Sequence, residues 1–501
     1  MGKKIPMWQV LCVVLFTVLA LMYCLDVLAL MLGEGAESNY GDMAMALIMA
    51  AIVAAGVGVA NGYKWAYMEK AALLTIDRSM GALLILLTVG ILTGTWIGAG
   101  VIPTLIYYGL AILSPGIFLF AACLVCCIVS IILGTSWGTT GTMGVAFVGI
   151  GLGLRINPAM TAGACISGAY FGDKMSPLSD TTNLAPAVVG DVNLFEHIRY
   201  MVWTVTPSLI FALIMYLILG FTAGAGGDAD MSKVDEIRNA LYDSFNINPI
   251  LLICPVFVIV IIALRIPPLP GLFGGVIIGG IMGMIFQGIG FGEMLDIMHY
   301  GYYFDGDAYV IGEELYEELD YLLSRGGMDS MLWTVNLCIC ALAFGGILDG
   351  TGMLGSLAEQ MLKLAKNTGM LVVVTVLSSV FTNMLTADQY LSLIIPGKMY
   401  KRAYDDRKLK SRLLARSIED GGTMTSSLIP WNTCGATMSS FLGVPTASYF
   451  PYTFLNWSSP LVSMFYGFTG IGITKMSDEE YAAVLKRRED EEAAEKEALV
   501  G

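Results

Sequence analysis

The sequence predicts an all-α polytopic membrane protein made of two related halves, on three observations. First, its 501 residues are 56% hydrophobic and only 14% charged, whereas an ordinary soluble domain carries about 25% charged residues. Second, long uncharged runs recur, each supplying the roughly 20 apolar residues that a membrane span needs. Third, each half holds two polar interruptions about 40 residues apart, and paired interruptions at corresponding positions mark the binding site of a transporter.

The elements follow in order. MWQVLCVVLFTVLALMYCL from Met7 comes after MGKKIP and has no small-residue cleavage site, so it reads as a retained helix and not a signal peptide. The run from Val101 to Leu133 supplies further spans. GTSWG at Gly134–Gly138 matches the G-x-S-x-G elbow of hydrolases, but it closes a membrane helix where that motif needs a strand-to-helix turn, so no enzyme is read from it.

GDKMSPLSDTTN at 172–183 then sets two aspartates, a lysine and several hydroxyls between apolar runs ending at Phe171 and opening at Leu184. Gly172 and Pro177 interrupt a continuous helix. Irregular backbone at membrane depth survives only where protein buries it or water reaches it. The break is therefore expected to line a cavity. Its freed carbonyls, with the side-chain oxygens of Ser176, Ser179, Thr181, Thr182 and Asn183, are hard ligands suited to sodium, and half-helix ends add oriented dipoles.

The second half echoes the first. MSPLSDTTN at Met175–Asn183 corresponds to MTSSLIPWN at Met424–Asn432, 249 residues on, and TVTP ending at Pro207 corresponds to WSSP ending at Pro460. TSWGTTG at Thr135–Gly141 is echoed by TNMLTADQ at Thr382–Gln389. The polar stretch AGAGGDADMSKVDE divides the chain into a first transmembrane repeat (1–222), a polar linker (223–247), a second repeat (248–475) and an acidic cytoplasmic tail (476–501). Lys3 and Lys4, the basic loop Lys398–Arg412, and Lys486–Arg488 are expected in the cytoplasm by the positive-inside rule. Both termini on one side require an even number of crossings, and two repeats with an odd number each are inverted relative to one another.

The net charge of −14 is concentrated in two places, with nine acids against one base in 289–327 and nine against four from Asp478 onward. Both read as solvated faces, and no nucleic-acid partner is implied. The ten cysteines lie mostly in apolar runs and read as reduced packing residues. With only His197 and His299 in the chain, no transition-metal site is expected.

An exchanger of sodium for protons needs a carboxylate that holds either cation but not both. Asp173, Asp180 and Asp388 are the candidates, because intramembrane acids are functional by default. Structural readings stand beside that one. Asp173 can pair with Lys174, Asp180 can cap a helix starting near Asn183, and Asp388 can cap at a hairpin tip. Glu419 and Asp420 beside Arg416 read as a solvated or interfacial pair, Asp26 and Asp349 as snorkelling or capping acids, and Trp137 and Trp431 as packing.

The run GAYFGDKMSPLSDTTNLAPAVVGDVNLFEHIRYMVWTVTP (168–207) closely resembles the signature region of the NhaC-type sodium/proton antiporter family. TADQYLSLIIPGKMYKRAY and SIEDGGTMTSSLIPWNTCG resemble its second-half counterpart. The resemblance covers nearly the whole chain. It implies the ion transporter superfamily fold, two inverted-topology repeats that each contain a re-entrant hairpin and a broken transmembrane helix, commonly working as a homodimer with an elevator-like movement. It also implies a multi-pass cell-membrane protein in the lipid bilayer that exchanges sodium ions for protons by alternating access, serves pH homeostasis and uses no cofactor.

Carried over by position, the hairpin tips are Gly134–Gly141 and Thr382–Gln389, and the broken helices are Asp173–Asn183 and Thr423–Thr433. The candidate ion- and proton-binding set is thus Asp173, Ser176, Asp180, Thr181, Thr182, Asn183, Thr139, Asp388, Thr423, Asn432 and Thr433. The resemblance singles out no one acid, and the acidic stretch Glu293–Asp320 has no recognised counterpart. Members that exchange organic anions, such as malate for lactate with sodium and protons, supply the alternative, for which Lys174 is the only basic residue inside either break. A passive channel is disfavoured because no helix carries a continuous polar face.

Overall fold

The computed structural model describes residues 3–24, 40–225, 231–264, 266–306 and 313–500. Among them the regular elements are helices, and β pairing is confined to the isolated bridges Tyr302–Arg325 and Leu409–Lys475. Eight of these helices are long and apolar enough to cross a membrane, or up to nine if the bent pair Val234–Ser244 and Pro249–Ile262 is one span. Asp26 and part of the linker lie outside the described residues.

The chain opens with α1 (Met7–Cys24), α2 (Tyr40–Ala60), α3 (Trp65–Gly98) and α4 (Val101–Ile112). The apolar run 101–133 is not continuous. Leu113 and Ser114 are extended, and Pro115, whose ring presets the helical φ, starts α5 (Pro115–Leu133). Past Gly134 come the short α6 (Ser136–Thr139), a π-helical stretch Thr140–Gly144 and α7 (Val145–Gly153). Next are α8 (Pro158–Met175), a break at 176–179, α9 (Asp180–Val189) and the long α10 (Leu194–Ala225), which carries Pro207.

The predicted linker is largely helical. α11 (Met231–Ser244) buries Val234, Ile237 and Leu241, spaced to share one face. After α12 (Ile253–Ala263) and α13 (Pro268–Met282), the acidic region folds as α14 (Phe291–Tyr300) and α15 (Glu313–Leu323). Its Glu293, Asp296, Asp305, Glu313 and Glu317 are exposed, while Met294, Ile297, Phe304, Leu322 and Leu323 are buried. The Gly327 amide donates to the Gly90 carbonyl at 2.7 Å, which fastens this region to α3. A solvated face therefore covers an apolar one.

The chain continues with α16 (Leu332–Gly350), α17 (Met353–Leu362), α18 (Thr368–Thr386), an interruption at 387–388 and α19 (Gln389–Asp405). Then come α20 (Ser411–Ser426), a break at 427–432, α21 (Thr433–Leu442), α22 (Thr446–Tyr449), α23 (Phe454–Thr469) with Pro460, and α24 (Asp478–Val500). One order thus occurs twice, in 115–225 and 368–469: helix, interruption, helix, broken helix, proline-bearing helix. The cysteines are free, and all but Cys12 are buried, as packing residues should be.

Candidate ion site

Both interrupted regions meet at one cavity of about 470 Å³. Ser136, Asp173, Asp180 and Thr181 line it from the first half, and Asp388, Tyr390 and Thr433 from the second. Arg78 and Ser79 of α3, with Pro267 and Pro268, complete the wall.

Asp173 stands in the last turn of α8, where α8 packs along α5. Gly172 permits that contact, since a Cβ there would lie 2.3 Å from Ser130. α5 ends at Gly134 with φ +69°, and a Cβ on Gly134 would lie 2.6 Å from Leu178, so the tip sits directly on the break. That contact carries Ser136 to Asp173. The Ser136 hydroxyl donates to one carboxylate oxygen and the Ser179 hydroxyl to the other, both at 2.7 Å. Thr182 donates to the carbonyls of Asp173 and Lys174, at 2.8 and 3.0 Å, which satisfies acceptors that the end of α8 leaves open.

Asp388 both caps and lines the cavity. As N-cap of α19 it accepts the Leu391 amide at 2.8 Å, and its other oxygen accepts from Ser79 at 3.2 Å. Asp180 is exposed on the cavity wall and is the first residue of α9, so the helix starts there and not near Asn183; Ser179 holds the cap position. Its carboxylate sits at the positive end of the helix dipole.

Of the candidate set, Asp173, Asp180, Thr181, Asp388 and Thr433 line the cavity, and the others do not. Thr139 donates back to the Thr135 carbonyl at 2.9 Å. Ser176 ties the break to α5 by donating to the Ile131 carbonyl at 2.8 Å. Asn183 is exposed and donates to the Pro177 and Ser179 carbonyls. Asn432 caps α21 through the Cys434 amide and donates to Asn383. Thr423 donates to Glu419 at 2.5 Å. Trp137 lines the cavity, and Trp431 donates to the Met384 carbonyl at 2.7 Å.

Two readings are corrected. Lys174 does not pair with Asp173; it pairs with Asp420, 246 residues away, and both side chains are fully buried. Glu419, Asp420 and Arg416 are not a solvated group either, since all three have zero exposure. Asp420 Oδ1 also accepts from Thr204 and Ser459, at 3.0 and 2.8 Å, and the Arg416 guanidinium lies over the Tyr200 ring at 4.7 Å. A signal was present in the sequence. α20 leaves the basic loop at Ser411 and continues beyond a break at 427–432, so residues 416–423 fall within the span. Ser79, Arg78 and Tyr390 had no such mark, whereas Ser136 lies in the interruption 135–141, from which Thr139 is the residue expected at the site.

The model of the Na+/H+ antiporter family matches residues 168–471. The chain belongs to that family. The Na+/H+ antiporter NhaC of Alkalihalophilus pseudofirmus is 36% identical over 430 residues, 86% of this chain and 90% of that one. The malate-2H+/Na+-lactate antiporter of Bacillus subtilis is 37% identical over 426 residues, 85% of this chain and 89% of its own. The arginine/ornithine antiporter ArcD of Halobacterium salinarum is 37% identical over 411 residues, 82% and 83%. Antiporters therefore align along most of the chain, and the two broken helices, at 172–183 and 423–433, both fall inside the family match, while the interruption at 134–141 precedes it.

Proposed function

We propose that the protein exchanges sodium ions for protons across the membrane by alternating access, with the cavity between the interruptions as its ion site. One observation carries the reading: carboxylates from both halves line a single cavity, and one of them, Asp173, is buried and held by two hydroxyls. A carboxylate so placed takes either a proton or a cation, and that exclusion makes exchange obligatory. Hydroxyls of Ser136, Thr181 and Thr433 supply neutral oxygens for a sodium ion that has shed water.

The helix order supports inverted repeats with α5–α7 and α18–α19 as re-entrant hairpins. The segment after α9 carries Asp191, which pairs with Lys401 at 3.6 Å and with Arg487. The loop before α20 bridges to Lys475 and pairs Lys408 with Asp478 at 2.8 Å. α8–α9 therefore runs toward the basic face and α20–α21 runs away from it. That face, with the termini, is assigned to the cytoplasm by its lysines and arginines.

A second reading has support of its own. Arg78 lines the cavity, whose volume falls in the range of about 300–1,000 Å³ typical of small-molecule sites. An organic carboxylate could use that guanidinium. Lys174 is not available, being held by Asp420. In everted vesicles with an imposed acid-inside gradient, sodium alone should collapse the gradient. Collapse by malate or lactate with no response to sodium alone establishes the anion exchanger instead.

A further inference from the structure

The buried polar groups behind the cavity form a site that sodium does not need. Glu419 is fully buried on α20; Oε2 takes the Thr423 hydroxyl at 2.5 Å, while Oε1 has no hydrogen-bond partner. Nearby, Asp420 Oδ2 and Arg416 Nε form a buried ion pair at 3.9 Å, and the other two Arg416 nitrogens and both His197 nitrogens are buried without hydrogen-bond partners. Each such orphan costs about 1–3 kcal/mol.

We propose that Glu419 is a second proton-binding carboxyl of the transport cycle, separate from the ion cavity and coupled to it through the end of α8. This inference rests on the antiporter reading. Asp173 and Lys174 are consecutive, yet Asp173 bonds to Ser136 at the cavity while Lys174 bonds to Asp420. One helix end thus presents its acid to the ion and its base to the cluster.

The groups facing Glu419 set its charge. α8 supplies Asp173 and Lys174, and α20 itself Thr423 and Asp420; in the adjoining cluster Arg416 faces Asp420 and the Tyr200 ring, and His197 of α10 faces Lys174 and Asp420. Of the other elements packed on α20, α19 brings Tyr404 near Arg416; α9 carries only Asp180, α21 only Cys434 and α23 only Tyr466 as titratable groups, and α18 carries none. With Glu419 ionised, two acids balance Lys174 and Arg416. Sodium replaces the proton on Asp173, which leaves the net charge at the cavity unchanged, and the Glu419 proton leaves to the open compartment in the same step, the resulting carboxylate being matched, with Asp420, by Lys174 and Arg416. In the return state one proton adds to Glu419 and one to the cavity carboxyl, and both leave on the other side as sodium binds.

The test is the balance point of exchange in proteoliposomes clamped at zero membrane potential, followed by radioactive sodium and a pH dye. Wild type should come to rest when the proton gradient equals the square root of the sodium gradient. Glu419→Gln should keep exchanging but rest when the two gradients are equal. An unchanged balance point in Glu419→Gln, or equal gradients already in wild type, overturns the proposal. No sodium-driven proton movement in wild type overturns the antiporter reading as well. Should Glu419→Gln fail to fold, Thr423→Val keeps the carboxyl but removes its hydrogen bond; the square-root balance should persist while the pH of half-maximal exchange moves. A Thr423→Val pH profile identical to wild type overturns the assignment.

Discussion

The two broken helices solve the same problem with different chemistry. At 176–179 the freed backbone is satisfied locally by polar side chains, Thr182 on the carbonyls of 173 and 174 and Asn183 on those of 177 and 179. At 427–432 the partners are long side chains from other elements. Asn383 donates to Gly422 at 2.6 Å, Asn456 to Met424 at 3.1 Å, and Tyr449 to Ser427 at 2.7 Å. The first break ends on a carboxylate directed at the cavity, whereas the second presents none there. Its half contributes Asp388 from the interruption at 387–388, and the Thr433 amide bonds to the Ala387 carbonyl at 2.9 Å to hold interruption and break together. Unlike elements meet face to face, so one cavity draws Asp173 and Asp180 from the first half and Asp388 from the second without placing acids on equivalent residues.

This contrast predicts that substitutions at the first break act on ions and those at the second on stability. The largest effect is expected from Asp173→Asn, which should reduce sodium-driven proton flux to background while the protein still inserts and elutes as wild type. Asp388→Asn comes next and separates two roles. Asparagine is as good an N-cap as aspartate, so the Leu391 bond survives, and a loss of exchange reports the carboxylate itself. Ser136→Ala should raise the sodium concentration for half-maximal exchange by about tenfold, since a hydrogen bond to a charged group is worth about 1.5–3 kcal/mol. Asn383→Ala should leave that concentration nearly unchanged but lower unfolding stability by about 1–3 kcal/mol, through the acceptors it orphans. If it weakens sodium affinity and not stability, the contrast between the breaks is wrong.

The smallest effect is expected at the tail. Lys408 holds Asp478 below the usual carboxylate range, and Lys410 does the same for Glu480. Acids with depressed values stabilise docking above their free values and lose that contribution as pH falls through the bound ones. Docking should therefore loosen below about pH 4 and with added salt, seen as faster proteolysis of the tail with transport little changed.

How much of this was legible in the chain follows from what hydrocarbon penalises. Prolines, glycines and hydroxyl runs inside apolar sequence cannot be indifferent at membrane depth, so 134–141, 172–183, 382–389 and 423–433 marked themselves, and the repeat order came with them. Roles within those segments did not. Thr181 and Thr182 are neighbours with the same side chain, yet one lines the cavity and the other closes the end of α8. The bond between Lys174 and Asp420 spans 246 residues, and no local pattern encodes a partner so distant. Arg416 and Asp420 are spaced as any exposed i,i+4 pair would be, so burial alone separates a central cluster from a surface one. The split at Leu113–Ser114 hid inside an unbroken apolar run because Pro115 at a helix start offends no rule of composition.

The strap formed by the tail has a mechanical meaning. Arg487 grips Asp191, just past the first broken helix, while Asp478 and Glu480 grip Lys408 and Lys410, just before the second. Arg488, next to Arg487, also pairs with Asp405 and Asp406, so this end of the strap is moored to both halves and the Asp478 end to the second alone. The tail thus adds to the direct Lys401–Asp191 pair in tying those two loops together, so a chain cut at residue 476 should show a wider spread of distances between probes on them.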